Sequence, residues 1–420
     1  MKFYIYTLGC KVNTYESNIM KEQLVDKGYI EDKDADIFIV NSCTVTNTSD
    51  NKTLKLIRRI RREYPNSLII VTGCLTQVES KNIEDANIII GNVGKSNILK
   101  YIEEYKNEKI IDIKDIMEQP FEDMELKNFD KTRAFVKIED GCENYCSYCI
   151  IPYTRGKVRS KKKENVIKEV KNLISNGHSE IVLTGIHTGH YFDGDYSFYN
   201  LLSDLVKIEG LKRLRISSIE INEITDEIIE LFKKEEVLVD HIHIPLQSGS
   251  DTILKLMNRK YDKTFFIDRI NKIREARPNI SITTDIIVGF PNETEELFEE
   301  TLDTVDKIKF SKIHVFPFSR RKGTKADLMD NQVDERIKKE RVKILMDKSK
   351  ELEIEYFNNY ISKEVTFIKE VYKDSCLIGH TGNYLLIKAY SPIDISGEIT
   401  VKISKVDYPY CVGNLTKDEK

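Results

Sequence analysis

The stretch Cys142-Glu143-Asn144-Tyr145-Cys146-Ser147-Tyr148-Cys149 places three thiols within eight residues. A fully ligated [4Fe–4S] cluster takes four cysteine thiolates, so three cysteines leave one iron open to another ligand. The alternative is a zinc ribbon, but such sites normally pair two Cys-x2-Cys motifs, and this chain has no second one. We therefore expect Cys142, Cys146 and Cys149 to hold a cluster with one accessible iron.

This stretch follows the first of six strand-like runs that alternate with helical stretches. The runs span residues 134–138, 180–183, 213–216, 240–244, 281–288 and 312–316. Six β/α units in series predict an incomplete barrel, open on one side. Barrel active sites form at the C-terminal ends of the strands, which is where the three thiols lie.

The N-terminal region carries three further cysteines, each directly after a predicted strand of an alternating strand–helix pattern. They are Cys10 in Thr-Leu-Gly-Cys, Cys43 in Val-Asn-Ser-Cys and Cys74 in Val-Thr-Gly-Cys. Taken singly, each would more often be a buried structural cysteine. Because the C-terminal ends of parallel strands meet at one sheet edge, the three together favour a second cluster, again with an open iron.

The predicted fold class is α/β, with three domains. An N-terminal parallel α/β sheet domain spans residues 1–110 and the central partial (β/α)6 barrel spans residues 128–358. Residues 359–420 contain short strands between Gly and Pro turns, which predicts a small β-barrel. The charged, weakly patterned residues 106–130 read as a linker.

Composition sets broad limits on the class of protein. Of 420 residues, 40% are apolar and 32% charged, which is typical of globular proteins, and the net charge of −4 gives no global argument for nucleic-acid binding. The longest apolar runs have only strand length, and the first residues show no signal-peptide pattern, so we expect no membrane span and a cytoplasmic location. Eight cysteines there are unlikely to form disulfides.

The chain resembles the methylthiotransferase family of radical S-adenosylmethionine (SAM) enzymes over nearly its whole length. The N-terminal motifs lie at residues 8–13 (LGCKVN), 41–46 (NSCTVT) and 72–74 (TGC). The radical SAM motifs lie at residues 137–149, 151–160, 217–220 (SSIE), 245–250 (PLQSGS) and 285–291 (DIIVGFP). Residues 379–384 (GHTGNY) resemble a TRAM domain.

The resemblance implies a reaction. The Cys142/Cys146/Cys149 cluster would cleave SAM to a 5′-deoxyadenosyl radical, the Cys10/Cys43/Cys74 cluster would carry sulfur, and a second SAM would supply the methyl group. Within the family, Gly-Cys-Lys-Val-Asn resembles the subgroup that acts on N6-threonylcarbamoyladenosine (t6A) at position 37 of tRNA, next to the anticodon; the isopentenyladenosine subgroup usually has Gln-Met before the Asn. The implied partners are tRNA with t6A, an electron donor and a sulfur donor.

Three alternatives remain open at this point. Two lie within the family, a methylthiotransferase for isopentenyladenosine in tRNA and one for an aspartate of a ribosomal protein. The third is a non-catalytic metal-containing RNA-binding protein.

SAM needs an apolar wall for its adenine, a polar partner for its ribose and a cation for its carboxylate. Candidates at or near the predicted strand ends are Tyr148, Arg159, Ser218, Glu220, Gln247, Val288 and Gly289. RNA phosphates need local basic patches, and unpaired bases can stack on aromatic rings. Candidates for these contacts are Arg58, Arg59, Arg62, Lys161, Lys162 and Tyr384.

Overall fold

A computed structural model describes residues 1–416 of the chain. The predicted fold class is confirmed: a parallel α/β sheet is followed by a partial barrel and then by a closed β-barrel. Residues 417–420, the end of the segment predicted as the small barrel domain, lie outside the described residues. Within residues 1–416, no helix is long and apolar enough to cross a membrane.

The N-terminal sheet has six parallel strands in the order β2-β1-β3-β4-β5-β6. The strands are β1 (Lys2–Thr7), β2 (Ile30–Glu31), β3 (Ile37–Ser42), β4 (Leu68–Gly73), β5 (Ile88–Ile90) and β6 (Ile110–Asp112). The helices are α1 (Lys11–Asp26), α2 (Asn47–Glu63), α3 (Cys74–Glu79) and α4 (Ile98–Glu104). Helices cover both faces, which explains why the central strand β3 is buried along its whole length.

Two short strands of this sheet were not predicted. β2 pairs with β1 at one edge of the sheet, and β6 pairs with β5 at the other edge. β6 lies within the segment that the sequence predicted as a linker. Strands of two or three residues carry no readable alternation, so their pairing depends on the neighbouring strand and not on their own sequence.

The central region contains the six predicted barrel strands together with four short ones. The strands are β7 (Arg133–Lys137), β8 (Glu139–Asp140), β9 (Arg159–Ser160), β10 (Glu180–Thr184), β11 (Phe192–Asp193), β12 (Tyr196–Ser197), β13 (Arg213–Ile216), β14 (His241–His243), β15 (Ser281–Val288) and β16 (Lys312–Pro317). The helices are α5 (Ile151–Arg155), α6 (Lys163–Ser175), α7 (Phe198–Leu205), α8 (Asp226–Lys234), α9 (Asp251–Leu256), α10 (Lys263–Ala276), α11 (Glu295–Ile308) and α12 (Glu335–Asn358).

The barrel strands form two parallel half-sheets, β7-β10-β13 and β14-β15-β16. They meet at Leu214, whose backbone N–H donates to the carbonyl of Val237 (2.7 Å) and whose carbonyl accepts from Val239 (3.2 Å). Within residues 1–416, the end strands β7 and β16 do not pair with each other. The barrel is therefore an open arc, as the sequence predicted.

The C-terminal barrel has five strands and is closed. They are β17 (Glu364–Lys373), β18 (Cys376–Thr381), β19 (Leu386–Tyr390), β20 (Glu398–Asp407) and β21 (Tyr410–Leu415), in the order β17-β18-β19-β21-β20. The interior holds apolar side chains such as Phe367, Ile387 and Val401, and also Cys411. The sequence predicted four of these strands and missed β21, which pairs parallel to β19 and closes the barrel.

The N-terminal sheet packs on the barrel through α1. Tyr15 and Ile19 on this helix belong to the same apolar core as the barrel strands. The Tyr15 hydroxyl donates to the Glu169 carboxylate of α6 (2.8 Å). A second contact is made by Arg321, whose guanidinium pairs with Asp50 of α2 (2.7 Å). These contacts place the C-terminal ends of the N-terminal sheet strands beside the mouth of the barrel.

The seam between the two half-sheets should dominate the stability of the barrel. Leu214 is fully buried there. We expect Leu214→Ala to lower the free energy of unfolding by about 2–5 kcal/mol, because it removes apolar contacts and leaves a cavity. Leu328→Ala is the matched control, since that side chain is 84% exposed, and it should change the value by less than about 0.5 kcal/mol. Urea unfolding of the two variants gives both numbers; equal losses would contradict this account.

Candidate active site

The N-terminal cysteines converge at one edge of the sheet. Cys10 caps the N-terminus of α1, Cys43 follows β3, and Cys74 opens α3. The thiols are close enough to influence one another electrostatically: Cys74 raises the pKa of Cys10, and both raise that of Cys43. The structure therefore brings together the three side chains that the strand pattern predicted to meet.

Glycines preceding two of these cysteines make the approach possible. Gly9 has φ +102°, and a Cβ there would lie 2.8 Å from the Cβ of Cys43. Gly73 has φ +108°, and a Cβ there would lie 2.4 Å from the carbonyl oxygen of Ser42. Both positions need a residue without a side chain, because L-residues rarely adopt this backbone conformation and there is no room for a Cβ.

The chemistry of the three N-terminal thiols is that of ligands for a soft metal. Cys10 is exposed at the sheet edge, whereas Cys43 is buried, and burial raises the pKa of the Cys43 thiol to about 11. Thiols of this kind stay protonated near neutrality unless a metal displaces the proton. Cysteine sulfur is the ligand that iron–sulfur clusters take. Three such donors at one sheet edge fit a cluster.

Cys142, Cys146 and Cys149, which we call the second trio, lie in the loop between β8 and α5. Segment 256–259 holds this loop: the N–H of Ser147 donates to the Met257 carbonyl (3.0 Å), and the Asn258 amide donates to the Tyr145 carbonyl (3.0 Å). Burial raises the pKa of Cys142 and that of Cys149, the latter to about 12. The donor set again fits a cluster, since three sulfurs face one space and a fixed loop presents them.

Arg259 lies against this loop. One guanidinium nitrogen (Nη1) is 3.4 Å from the sulfur of Cys146, the other (Nη2) pairs with Glu220, and Nε donates to the Tyr261 hydroxyl (3.1 Å). The Arg259 side chain is only 3% exposed. A buried cation therefore lies directly beside one of the three sulfurs of this loop.

A buried ionic network joins the two cysteine loops. Its centre is Glu16 of α1, whose carboxylate pairs with Lys95 (2.5 Å), Lys137 (2.9 Å) and Arg155 (2.7 Å). Lys137 and Arg155 also pair with Asp140, two residues before Cys142 (2.7 and 3.2 Å). Burial alone would raise the pKa of Glu16, but the charges of Arg155, Lys137 and Lys95 outweigh it and hold the pKa well below its usual range.

Two asparagines connect this network to the N-terminal thiols. Asn13 accepts a hydrogen bond from Arg155 (2.6 Å) and lies 3.7 Å from the sulfur of Cys10. Asn92 accepts from Lys95 (3.1 Å), and its amide nitrogen is 3.6 Å from the sulfur of Cys74. The positions of both cysteine loops are therefore fixed through one set of buried polar side chains.

Two cavities open beside the second trio. One, of about 210 Å³, lies next to Cys149 and has a largely apolar lining that includes Tyr148, Ile287 and Phe318, with Gln247 as a polar group. The other, also about 210 Å³, lies next to Cys146 and is lined by polar side chains that include Glu220 and Arg259. An apolar wall and a polar, charged wall flank the same three sulfurs.

Two further cavities lie in the barrel lumen, of about 300 and 470 Å³. Both are lined by Lys11, the residue after Cys10, and by Tyr384 of the C-terminal barrel. Burial, together with the charges of Arg215 and Arg133, lowers the pKa of Lys11 to about 8. The lumen thus extends from the N-terminal cysteines to the small β-barrel.

Comparisons with known families match two parts of the chain. Residues 136–305 match the Radical SAM superfamily, and residues 2–93 match the Uncharacterized protein family UPF0004. Among solved structures, the radical SAM methyltransferase TsrM of Kitasatospora setae has a TM-score of 0.56 at 13% identity, covering 75% of this chain and 74% of that one. At that identity the likeness shows the fold alone.

Several curated relatives span nearly the whole chain. Threonylcarbamoyladenosine tRNA methylthiotransferase MtaB of Bacillus subtilis (strain 168) is 44% identical over 98% of this chain and 96% of its own length. The protein of the same name in Thermotoga maritima is 41% identical over 88% and 86%. A tRNA-2-methylthio-N(6)-dimethylallyladenosine synthase of Clostridium botulinum (strain Langeland) is 35% identical over 97% and 95%. The chain belongs to the MtaB-type methylthiotransferases, a family of radical SAM enzymes.

As a radical SAM enzyme, this methylthiotransferase uses SAM and a [4Fe–4S] cluster. The residues predicted to contact SAM fall into three groups. Tyr148, Gln247 and Glu220 line the two cavities beside the second trio. Ser218 follows β13, Val288 ends β15, and Gly289 follows it; these three residues line neither cavity.

Arg159 lies away from these cavities. Its guanidinium is buried, 3.5 Å from Asp140 and 3.2 Å from the Ile116 carbonyl, as part of the ionic network. In this methylthiotransferase the cation next to the second trio is instead Arg259. Arg259 could not be predicted from the sequence, because it follows a short helix and belongs to none of the motifs.

The residues predicted to bind RNA lie partly on the surface and partly in the interior. Arg58, Arg59 and Arg62 are exposed on α2, and Lys162 is exposed with an ion pair to Asp193. Lys161 does not belong to this surface: its side chain is buried and its ammonium bonds Glu169 (2.6 Å) and the Met124 carbonyl (2.5 Å). Tyr384 is half-buried in the lumen, with its ring on the guanidinium of Arg215.

Glu16 should be essential to the site, because it is the carboxylate between three buried cations. We expect Glu16→Gln to lower the free energy of unfolding of the cluster-free protein by about 3–5 kcal/mol, since it leaves buried charge uncompensated. Glu103→Gln is the control: Glu103 pairs with Lys27 at the surface (3.1 Å), and its loss should cost less than about 1 kcal/mol. Urea unfolding distinguishes the two, and a Glu16 variant as stable as the control would contradict the role of the network.

Proposed function

We propose that this methylthiotransferase converts t6A to 2-methylthio-t6A in tRNA, with two [4Fe–4S] clusters. The observation that carries the proposal is that one buried network contacts both groups of three cysteines. It reaches the loop of Cys142 through Asp140, and it reaches Cys10 and Cys74 through Asn13 and Asn92. Relatives at 44 and 41% identity are named for threonylcarbamoyladenosine, and the relative named for dimethylallyladenosine is at 35%. Another relative named for threonylcarbamoyladenosine is at 32%. Three relatives at 39% identity or more carry the threonylcarbamoyladenosine name, which favours t6A as the substrate.

The chemistry of the target explains the need for clusters. The adenine carbon to be modified, C2, carries an unactivated C–H bond, on which acid–base catalysis has little leverage. When bound, one cluster supplies the electron that cleaves SAM and the other supplies the sulfur. Cys142, Cys146 and Cys149 would hold the first cluster, and Cys10, Cys43 and Cys74 would hold the second.

Other side chains beside the cysteines would bind and orient SAM. Tyr148 and Ile287 offer an apolar wall for the adenine of SAM, and Gln247 offers a polar partner in the same cavity. Arg259 offers a cation for the SAM carboxylate, and Glu220 fixes the guanidinium of Arg259. The network around Glu16 occupies the space between the two loops and keeps water out of it, because its members are buried and paired.

The RNA must reach the lumen along the surface of the N-terminal sheet or of the barrel. Arg58, Arg59 and Arg62 on α2 form an exposed basic stripe, which we call the α2 stripe. Such a stripe neutralises phosphates without reading sequence. It would hold the anticodon arm while the target nucleotide enters the lumen.

Replacing the cysteines tests the two-cluster assignment. After anaerobic reconstitution, we expect about eight iron and eight sulfide per chain. Cys10→Ala/Cys43→Ala/Cys74→Ala should halve the iron, keep SAM cleavage and abolish methylthiolation of a t6A-containing anticodon stem-loop. Cys142→Ala/Cys146→Ala/Cys149→Ala should also halve the iron but abolish SAM cleavage. Mass spectrometry of nucleosides and of 5′-deoxyadenosine reads both activities.

Cys376→Ala serves as the control, because Cys376 lies in the C-terminal barrel, and it should keep all iron and both activities. Full iron in the N-terminal triple variant would refute the second cluster. Parallel assays with an isopentenyladenosine stem-loop and with ribosomal protein test the substrate, and a product on either of these but not on t6A would refute the substrate assignment.

The α2 stripe should give salt-dependent RNA affinity. Changing Arg58, Arg59 and Arg62 to Ala should weaken binding and reduce the slope of log affinity against log salt by about two to three, one for each lost phosphate contact. Filter binding over a salt series measures the slope. The matched control changes the exposed Arg336, Lys339 and Lys343 of α12 and should leave it unchanged; equal effects would show that only net charge matters.

A further inference from the structure

Lys11 is a cation in the lumen without a partner. It is the first residue of α1, directly after Cys10, and it lines both lumen cavities. Among residues 1–416, its ammonium makes no ion pair or hydrogen bond. An ammonium that is partly withdrawn from water and unpaired is costly, so such a position favours an anionic ligand.

Arg215 lies behind Tyr384 at these cavities; its charge pairs with Glu180, but two of its donors are unused. Its Nε donates to Glu180 (2.9 Å), but both terminal nitrogens are buried without a hydrogen-bond partner. The ring of Tyr384 covers the guanidinium at 3.9 Å, and Tyr384 lines both cavities together with Lys11. Buried donors are nearly always satisfied, so this pair of unused N–H groups is unusual.

The acidic side chains around the lumen form no ion pair with Lys11, and each one has another partner. Asp285 attracts the Lys11 ammonium, but burial and the charges of Arg215 and Arg133 outweigh this attraction. The pairs are Glu370 with Arg133 (3.0 Å) and His380 (2.9 Å), Glu353 with Lys312 (3.0 Å), Asp285 with His243 (3.4 Å), and Asp130 with Lys21. The cation of the lumen that has no ion-pair partner is therefore Lys11, which directly follows Cys10 in the chain.

We propose that Lys11 binds the carboxylate of the threonylcarbamoyl group of the substrate. The proposal rests on the proposed function and names the specificity-determining group within it. The N6 substituent and C2 belong to the same six-membered ring, so a base with C2 toward the Cys10 loop has its N6 substituent within reach of the neighbouring side chain. An apolar N6 substituent has no anionic group that could pair with this ammonium.

Binding by the reconstituted holoenzyme tests this with three anticodon stem-loops that differ only at the target base. One carries t6A, one carries the neutral carboxamide of t6A, and one carries adenosine. For the wild-type chain we expect the acid to bind on the order of tenfold to a hundredfold tighter than the carboxamide. Lys11→Met should reduce this ratio to about one, and Lys11→Arg should restore most of it. Lys27→Met, at the other end of α1, should keep the wild-type ratio.

Fluorescence anisotropy at fixed salt measures the affinities, and iron content shows that the variants keep both clusters. Equal binding of acid and carboxamide by the wild-type chain would overturn the proposal without any variant. Equal weakening of all three RNAs by Lys11→Met would also overturn it, because Lys11 would then contact a phosphate. Absence of a methylthio product from wild-type enzyme and t6A RNA would instead overturn the proposed function, and the acid-to-carboxamide ratio would still decide the role of Lys11.

Discussion

The buried carboxylate of Glu16 is the interaction on which the arrangement depends. It comes from the helix that begins at Cys10, and it binds cations from the N-terminal sheet region, from the first barrel strand and from the helix after Cys149. A charge in this position is tolerated only because its partners surround it. The same contacts fix the distance and angle between two loops that are far apart in sequence.

This constraint explains how two separate folds produce one site. A parallel sheet and a partial barrel each present functional groups at the C-terminal ends of their strands. Here α1 packs into the barrel core with Tyr15 and Ile19, so the two sets of strand ends lie on either side of the Glu16 network. The C-terminal barrel contributes Tyr384, which lines the lumen and covers Arg215. All three parts of the chain therefore line the lumen cavities.

The features that could be predicted from the sequence are those that depend on short-range residue patterns. The cysteine spacing, the six barrel strands and the position of Cys10, Cys43 and Cys74 after parallel strands all follow from short-range signals. What it missed depends on tertiary contacts. Glu16 occupies a position on the buried face of α1, between Val12 and Met20, and a charge on an apolar face was the one readable sign of the network. Arg259 and the inward turn of Lys161 had no local sign, because each depends on a partner distant in the chain.

In the proposed holoenzyme, two clusters face each other across the Glu16 network, each with one iron that no cysteine binds. Anomalous diffraction at the iron edge from anaerobically reconstituted crystals tests this arrangement directly. We expect two iron clusters, one on Cys10, Cys43 and Cys74 and one on Cys142, Cys146 and Cys149, with three cysteine sulfur ligands each. A single iron cluster, or zinc at the N-terminal trio, would contradict this arrangement.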